Sequence, residues 1–239
     1  MTQAVGAAGA MIPAMHHIRP WQLFTALESP IYERIAQVSI PPRRAFGGIT
    51  LLETFLLLTC SKIVEARRIF EFGTFLGSTT LNLALNTPDD AEIFTLDLDH
   101  SAAKKAIQDP NDVQFTETHL AANAHFDFTE TSVNRKITTL VGNSKNFDFS
   151  AWNKSIDMTF IDGGHDVPTA ASDTENAFSL AARSKPSCIL WHDYRAPEYP
   201  ELTGYLDDLS RKVELFHIED TKLCVHFTNG VPDPLLQLN

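Results

Sequence analysis

The sequence predicts an α/β protein, a mostly parallel sheet covered by helices and finished by an antiparallel pair. Three observations predict it. From Arg68 onward, short apolar runs alternate with helical stretches, and strands apolar on both faces belong inside parallel sheets. The runs at 213–218 and 223–227 are separated only by Glu219, Asp220, Thr221 and Lys222, the length of a hairpin and too short for a crossover. A chain of 239 residues, 44% hydrophobic and 21% charged, suits one elaborated globular domain or at most two small ones and sets disorder aside.

The elements follow in order. Residues 1–20 show neither helical nor strand periodicity, are interrupted by Pro13 and Pro20, and read as a flexible arm. Residues 21–63 read as a helical cover. Leu23, Phe24, Leu27, Ile31, Ile35 and Val38 recur at helical spacing, with Pro30 dividing two helical pieces; beyond Pro41, Pro42, Gly47 and Gly48, residues 50–63 form an apolar helix. This cover packs on its own domain or forms a homodimer contact. Residues 64–239 form the main domain. Its predicted strands are 68–72, 93–98, 137–141, 156–161 and 188–191, with helices at 78–86, 101–108 and 169–183. The polar stretch 110–136 reads as a helix and loop at the rim of a site.

Composition narrows the partners. Nineteen Lys and Arg against 30 Asp and Glu give a net charge of -11, and no dense basic run tracks a phosphate backbone, so nucleic acid is not expected. Cys60, Cys188 and Cys224 have no C-x-x-C spacing and lie in apolar runs, which reads as buried thiols in a reducing compartment. The start lacks a basic region ahead of its apolar residues, and the stretch 49–63 is short for a span of about 20 residues and carries Glu53 and Lys62. A cytoplasmic protein with no membrane partner is the expectation.

The most informative segment joins the strand at 68–72 to the helix beginning near Ser78, through Glu71-Phe-Gly73-Thr74-Phe-Leu-Gly77. Gly73 and Gly77 permit a tight turn and close ligand approach, and the free amides at the helix start offer donors to a polar cofactor end. It is not a phosphate loop, since no G-x-x-x-x-G-K-[ST] occurs. The next strand ends in Asp97-Leu-Asp99. An acid there can accept ribose hydroxyls, with Asp97 the first candidate and Asp99 the second; the alternative role is to cap the following helix.

These motifs, followed by Gly142-Asn143-Ser144, Phe160-Ile-Asp162-Gly-Gly-His165 and Trp191-His192-Asp193-Tyr194, resemble the class I S-adenosylmethionine-dependent methyltransferases, in the branch of small-molecule O-methyltransferases. The likeness runs from about Ile49 to Phe227. It implies a Rossmann-like sheet of seven strands with the last inserted antiparallel, and S-adenosylmethionine bound over the first strand ends. Glu71 and Gly73, with Thr74, Gly77 and Ser78 in the same loop, would shape the methionine end. Asp97 would grip the ribose, Asn143 and Ser144 would lie beside adenine, and Asp162 would border the cofactor. Asn143 stands where relatives often carry Asp.

In an open α/β sheet, Asp162-Gly-Gly-His165-Asp166 and His192-Asp193-Tyr194-Arg195 sit above the same edge. Asp162, His192 and Asp193 supply three ligands for Mg²⁺ or Mn²⁺. Metal-dependent O-methyltransferases carry an Asp where Asp162 stands and usually an acidic or amide pair where this chain has His192-Asp193. Without a metal, Asp162 and Asp193 orient His165 and substrate by hydrogen bonds. The acceptor oxygen must lose a proton; His165 is the candidate base, with His192 the alternative if no metal binds. Methyl transfer to a hydroxyl of a small-molecule acceptor is the first reading. Hydroxylation of an antibiotic-like scaffold, or cofactor binding without catalysis, are the alternatives.

Overall fold

The computed structural model describes residues 15–27, 34–40, 48–98 and 126–236. Among these lie eight strands: β1 (His16–Ile18), β2 (Arg68–Phe72), β3 (Glu92–Asp97), β4 (Ile137–Val141), β5 (Met158–Ile161), β6 (Ser187–Trp191), β7 (Phe216–Ile218) and β8 (Cys224–Thr228). The helices are α1 (Pro20–Ala26), α2 (Leu51–Ile63), α3 (Ser78–Leu85), α4 (Val167–Leu180), α5 (Pro200–Ser210) and α6 (Asp233–Leu236). One sheet runs β1-β7-β8-β6-β5-β2-β3-β4. All pairings are parallel except those of β8, which is inserted antiparallel between β6 and β7.

The sheet is covered on both faces, as its apolar strands require. Along β2, Ile69 joins one core with Leu56 and Leu57 of α2 and Leu83 of α3; Phe70 and Phe72 join the other with Ala177 of α4 and Leu206 of α5. This alternation is the period-2 geometry of a strand. Cys60, Cys188 and Cys224 are free and buried, and burial pushes the Cys60 thiol up to about 12. No helix among the described residues is long and apolar enough to cross a membrane.

The structure departs from expectation at the N-terminal side. The expected arm over residues 1–20 contains β1, which adds an eighth strand to the expected seven by pairing with β7. Three residues are too few to show alternation in the sequence; β1 is fixed by the His16 amide on the Leu215 carbonyl at 3.0 Å and the Glu219 amide on the Ile18 carbonyl at 2.8 Å. Residues 35–40 are not helical despite the spacing of Ile35 and Val38. The Gln37 and Ser39 amides donate instead to the side chains of Asn86 and Asn82, tying this segment to α3 and its C-cap. The helix expected at 101–108, and the residues Pro30, Asp99, His100, His119 and His125, lie outside the described residues.

Candidate active site

At the carboxyl end of β2 the chain turns through Gly73, whose φ is +90°. A Cβ there would lie 2.2 Å from the Asp162 carbonyl oxygen, so only glycine lets this turn rest on the end of β5. Gly77, at φ +81°, is the N-cap of α3. Between them the Thr74 and Phe75 amides donate to Asp97 Oδ2 at 3.0 and 2.9 Å, and the Leu98 amide donates to Asp97 Oδ1 at 2.7 Å. Asp97 therefore clamps the loop from the end of β3.

Glu71 lies beneath this loop. It is buried, with Oε2 accepting from the Thr80 and Thr95 hydroxyls at 2.5 and 2.6 Å, while Thr95 also meets the Thr74 hydroxyl at 2.7 Å. Burial pushes the Glu71 carboxyl up to about 8, against the pull of those hydroxyls. Ser78 hydrogen-bonds Asp127. At the end of β4, Asn143 Oδ1 accepts from the Lys145 amide at 3.0 Å, and the Ser144 carbonyl accepts from Asn176 of α4 at 3.3 Å.

β5 and β6 bring the second group together. His165 Nε2 is 2.8 Å from Asp193 Oδ2. His192 Nδ1 is 3.1 Å from the same oxygen and 3.3 Å from Asp162 Oδ1. Both ring nitrogens of His192 are buried without a hydrogen-bond partner among the described residues. Asp193 holds φ +61°, a left-handed conformation unusual for a non-glycine residue, and is buried. Burial lowers the His192 pKa, but Asp162, Asp193 and Glu53 outweigh it and hold the value well above the ordinary one. Burial likewise raises the Asp193 carboxyl, and His165 and His192 pull it well below the usual carboxylate range.

Asp162, His165 and Asp193 each offer a ligand atom, all within 4.8 Å of one another. This trio contains His165 where the sequence pointed to His192. His192 Nδ1 nevertheless faces both carboxylates, so all four side chains border one point at the sheet edge.

Four further residues join the cluster or its surroundings. Tyr199, ahead of α5, stacks on His165 with centroids 3.9 Å apart and planes at 5°. Lys222, in the β7–β8 turn, places Nζ 3.2 Å from Asp193 Oδ1. Glu53 of α2 places Oε1 3.5 Å from His192 Nε2. Asp173 lies in the middle of α4 and is buried; burial pushes its carboxyl up to about 6. The sequence signal for Glu53 was Thr50-x-x-Glu53, a helix-start pattern that says nothing of a distant histidine. Tyr194 turns inward and donates to Asp207 at 2.7 Å, while Arg195 lies over the Tyr194 ring. Trp191 is a packing residue, buried with Nε1 on Thr174.

The sheet order, the inserted antiparallel β8 and the glycine turn at the end of β2 define the Rossmann-like methyltransferase class. Residues 70–194, just over half of the chain, match the profile of the methyltransferase domain family, and the chain belongs to that family, in agreement with the class I S-adenosylmethionine-dependent resemblance of its motifs. No curated protein matches the chain. The fold is shared with the methyltransferase PaMTH1 from Podospora anserina bound to S-adenosylhomocysteine, at 15% identity, TM-score 0.54 and 86% coverage of each chain. It is also shared with the O-methyltransferase TomG from Streptomyces achromogenes, involved in tomaymycin synthesis and solved with S-adenosylmethionine, at 15% identity and TM-score 0.50, covering 86% of this chain and 88% of that one. A methyltransferase from Geobacter sulfurreducens has 15% identity and TM-score 0.51, with 77% of this chain and 81% of that chain covered.

Proposed function

We propose that this methyltransferase moves the methyl group of S-adenosylmethionine to a hydroxyl oxygen of a small metabolite. The observation that carries this reading is the contact of the Gly73 turn with Asp162, which makes the cofactor loop and the His165 cluster neighbours on one sheet edge. TomG, an O-methyltransferase solved with S-adenosylmethionine, supports the same donor and the same acceptor atom.

S-adenosylmethionine supplies a sulfonium-bound methyl carbon that the acceptor oxygen attacks as the carbon–sulfur bond breaks, leaving S-adenosylhomocysteine and a methyl ether. The chain's residues divide the work. Gly73, Thr74, Gly77 and Ser78 border the methionine end, and Glu71 supports them from below. Asp97 uses three of its roughly four lone-pair sites on backbone amides, which leaves one for a ribose hydroxyl. Asn143 and Ser144 border adenine.

His165 takes the hydroxyl proton, with Asp193 orienting its imidazole and stabilising the resulting charge. Asp162, His192 and Asp193, with His165 adjoining, fit Mg²⁺ or Mn²⁺, because the orphaned His192 Nδ1 faces two carboxylates without hydrogen-bonding either. Such an ion would lower the pKa of the acceptor hydroxyl. The His165–Asp193 bond favours a second, metal-free reading in which Asp162 and Asp193 orient His165 directly.

Calorimetry with S-adenosylmethionine, with and without Mn²⁺, followed by a screen of hydroxylated acceptors for S-adenosylhomocysteine, tests the reading. Saturable binding and an O-methylated product are expected. An oxygenated product without S-adenosylhomocysteine would establish hydroxylation instead, and cofactor binding without turnover across the panel would favour the non-catalytic alternative.

A further inference from the structure

We infer that Glu53, on the N-terminal helix α2, is a positioning residue that holds His192 and the Lys222 turn against Asp193. The inference rests on the proposed methyl transfer and its metal-binding cluster, and it gives the N-terminal cover a part in the site.

Glu53 is only 2% exposed, an unusual place for a carboxylate whose sole task is to cap a helix. The capping task uses one oxygen. Oε2 accepts from the Thr50 amide at 2.8 Å, while Thr50 Oγ1 accepts from the Glu53 amide at 3.2 Å, a reciprocal pair that starts α2. The other oxygen points away from the helix. Oε1 accepts from the Lys222 amide at 2.8 Å and lies 3.5 Å from His192 Nε2. Burial pushes this carboxyl up, but His192 and the Lys222 and Thr50 amides outweigh burial and bring it down to about 2.

The contacts form a closed frame. Lys222 is held through its main chain at both ends, its amide on Glu53 and its carbonyl accepting from the Tyr194 amide at 3.1 Å. The side chain thus delivered reaches Asp193 Oδ1, while His192, flanked by Glu53 at Nε2, reaches Asp193 Oδ2 and Asp162 with Nδ1. Glu53 therefore governs two of the three side chains that meet Asp193, His192 and Lys222, without approaching the reacting atoms itself. A carboxylate at the far nitrogen of an imidazole that faces a metal site is placed to fix the ring in orientation, and here Glu53 acts on it by charge across 3.5 Å, without a hydrogen bond.

The test uses the whole protein as wild type, Glu53→Gln and Thr50→Ala, the last disturbing the helix start while leaving the carboxylate. Mn²⁺ affinity and S-adenosylmethionine affinity are measured by calorimetry, and each protein is crystallised. We expect Glu53→Gln to weaken Mn²⁺ binding about tenfold and to turn the His192 ring, with S-adenosylmethionine affinity unchanged and Thr50→Ala like wild type in both readouts. Equal loss of Mn²⁺ affinity in both variants, or an unmoved His192 with unchanged Mn²⁺ affinity, overturns the proposal. If wild type itself binds no Mn²⁺, the metal reading fails and the His192 ring decides alone: displaced only in Glu53→Gln, the positioning role stands; unmoved, it falls. Should Glu53→Gln not fold, Glu53→Asp, which shortens the carboxylate and keeps its charge, takes its place with the same outcomes.

Discussion

At the β2–β3 end of the sheet edge, the side-chain contacts of Thr74, Phe75, Thr95 and Glu71 join positions 9 to 24 residues apart. At the β5–β6 end, contacts among Asp193, His165, Lys222 and Glu53 span 28 to 169 residues. The first region satisfies its acids with backbone amides and hydroxyls from one strand–turn–helix–strand unit. The second satisfies them with charged side chains and amides drawn from α2, the β6 end and the β7–β8 turn. Substitutions at the first end should therefore act on cofactor affinity, and those at the second on the chemical step.

The largest effect expected is at His165. His165→Ala should lower single-turnover methyl transfer about 10²–10⁴-fold while S-adenosylmethionine affinity stays put; normal turnover would remove His165 as the base. Gly73→Ala should break the separation, because Gly73 belongs to both ends. Its positive φ and the 2.2 Å approach to Asp162 predict a loss of about 3 kcal/mol in urea unfolding, together with loss of cofactor binding.

Glu71 sharpens the comparison through pH. Between its ordinary 4.5 and its folded value of about 8, the folded chain keeps a proton that the unfolded chain has released, so stability falls as pH rises. Glu71→Gln cannot titrate and should remove that decline, about 3 to 4 kcal/mol between pH 5 and pH 8; identical urea midpoint shifts in both proteins would contradict the buried, proton-holding carboxyl. The smallest effect is at Asp97. Asp97→Ala should weaken S-adenosylmethionine about tenfold, or about 1.4 kcal/mol, and unchanged heat of binding would deny it the ribose.

Much of this is legible in the sequence. The strands at 68–72 and 137–141 have the expected bounds, α3 differs by one residue at its end, and the last strands form the expected antiparallel pair. The site residues at the β5 and β6 ends converge because parallel strands present their carboxyl ends together. Other features were hidden for particular reasons. β1 depends on the β7 edge, and Ile35, at helical spacing, is 71% exposed in a non-helical segment whose Gln37 and Ser39 amides donate to Asn86 and Asn82. Tyr199, Lys222 and Glu53 belong to no motif with the residues they serve.

The sequence by itself determined the alternation of strands and helices, the glycine turn after β2 and the order of acids and histidines along the sheet edge. Those properties arise from side-chain periodicity and backbone freedom, which act over a few residues. Only the tertiary structure decided that a helix-capping glutamate faces His192, that Lys222 reaches Asp193 and that Tyr199 lies against His165. Coulomb attraction and hydrogen bonds act through space, and chain order does not specify which distant groups the fold brings within their range.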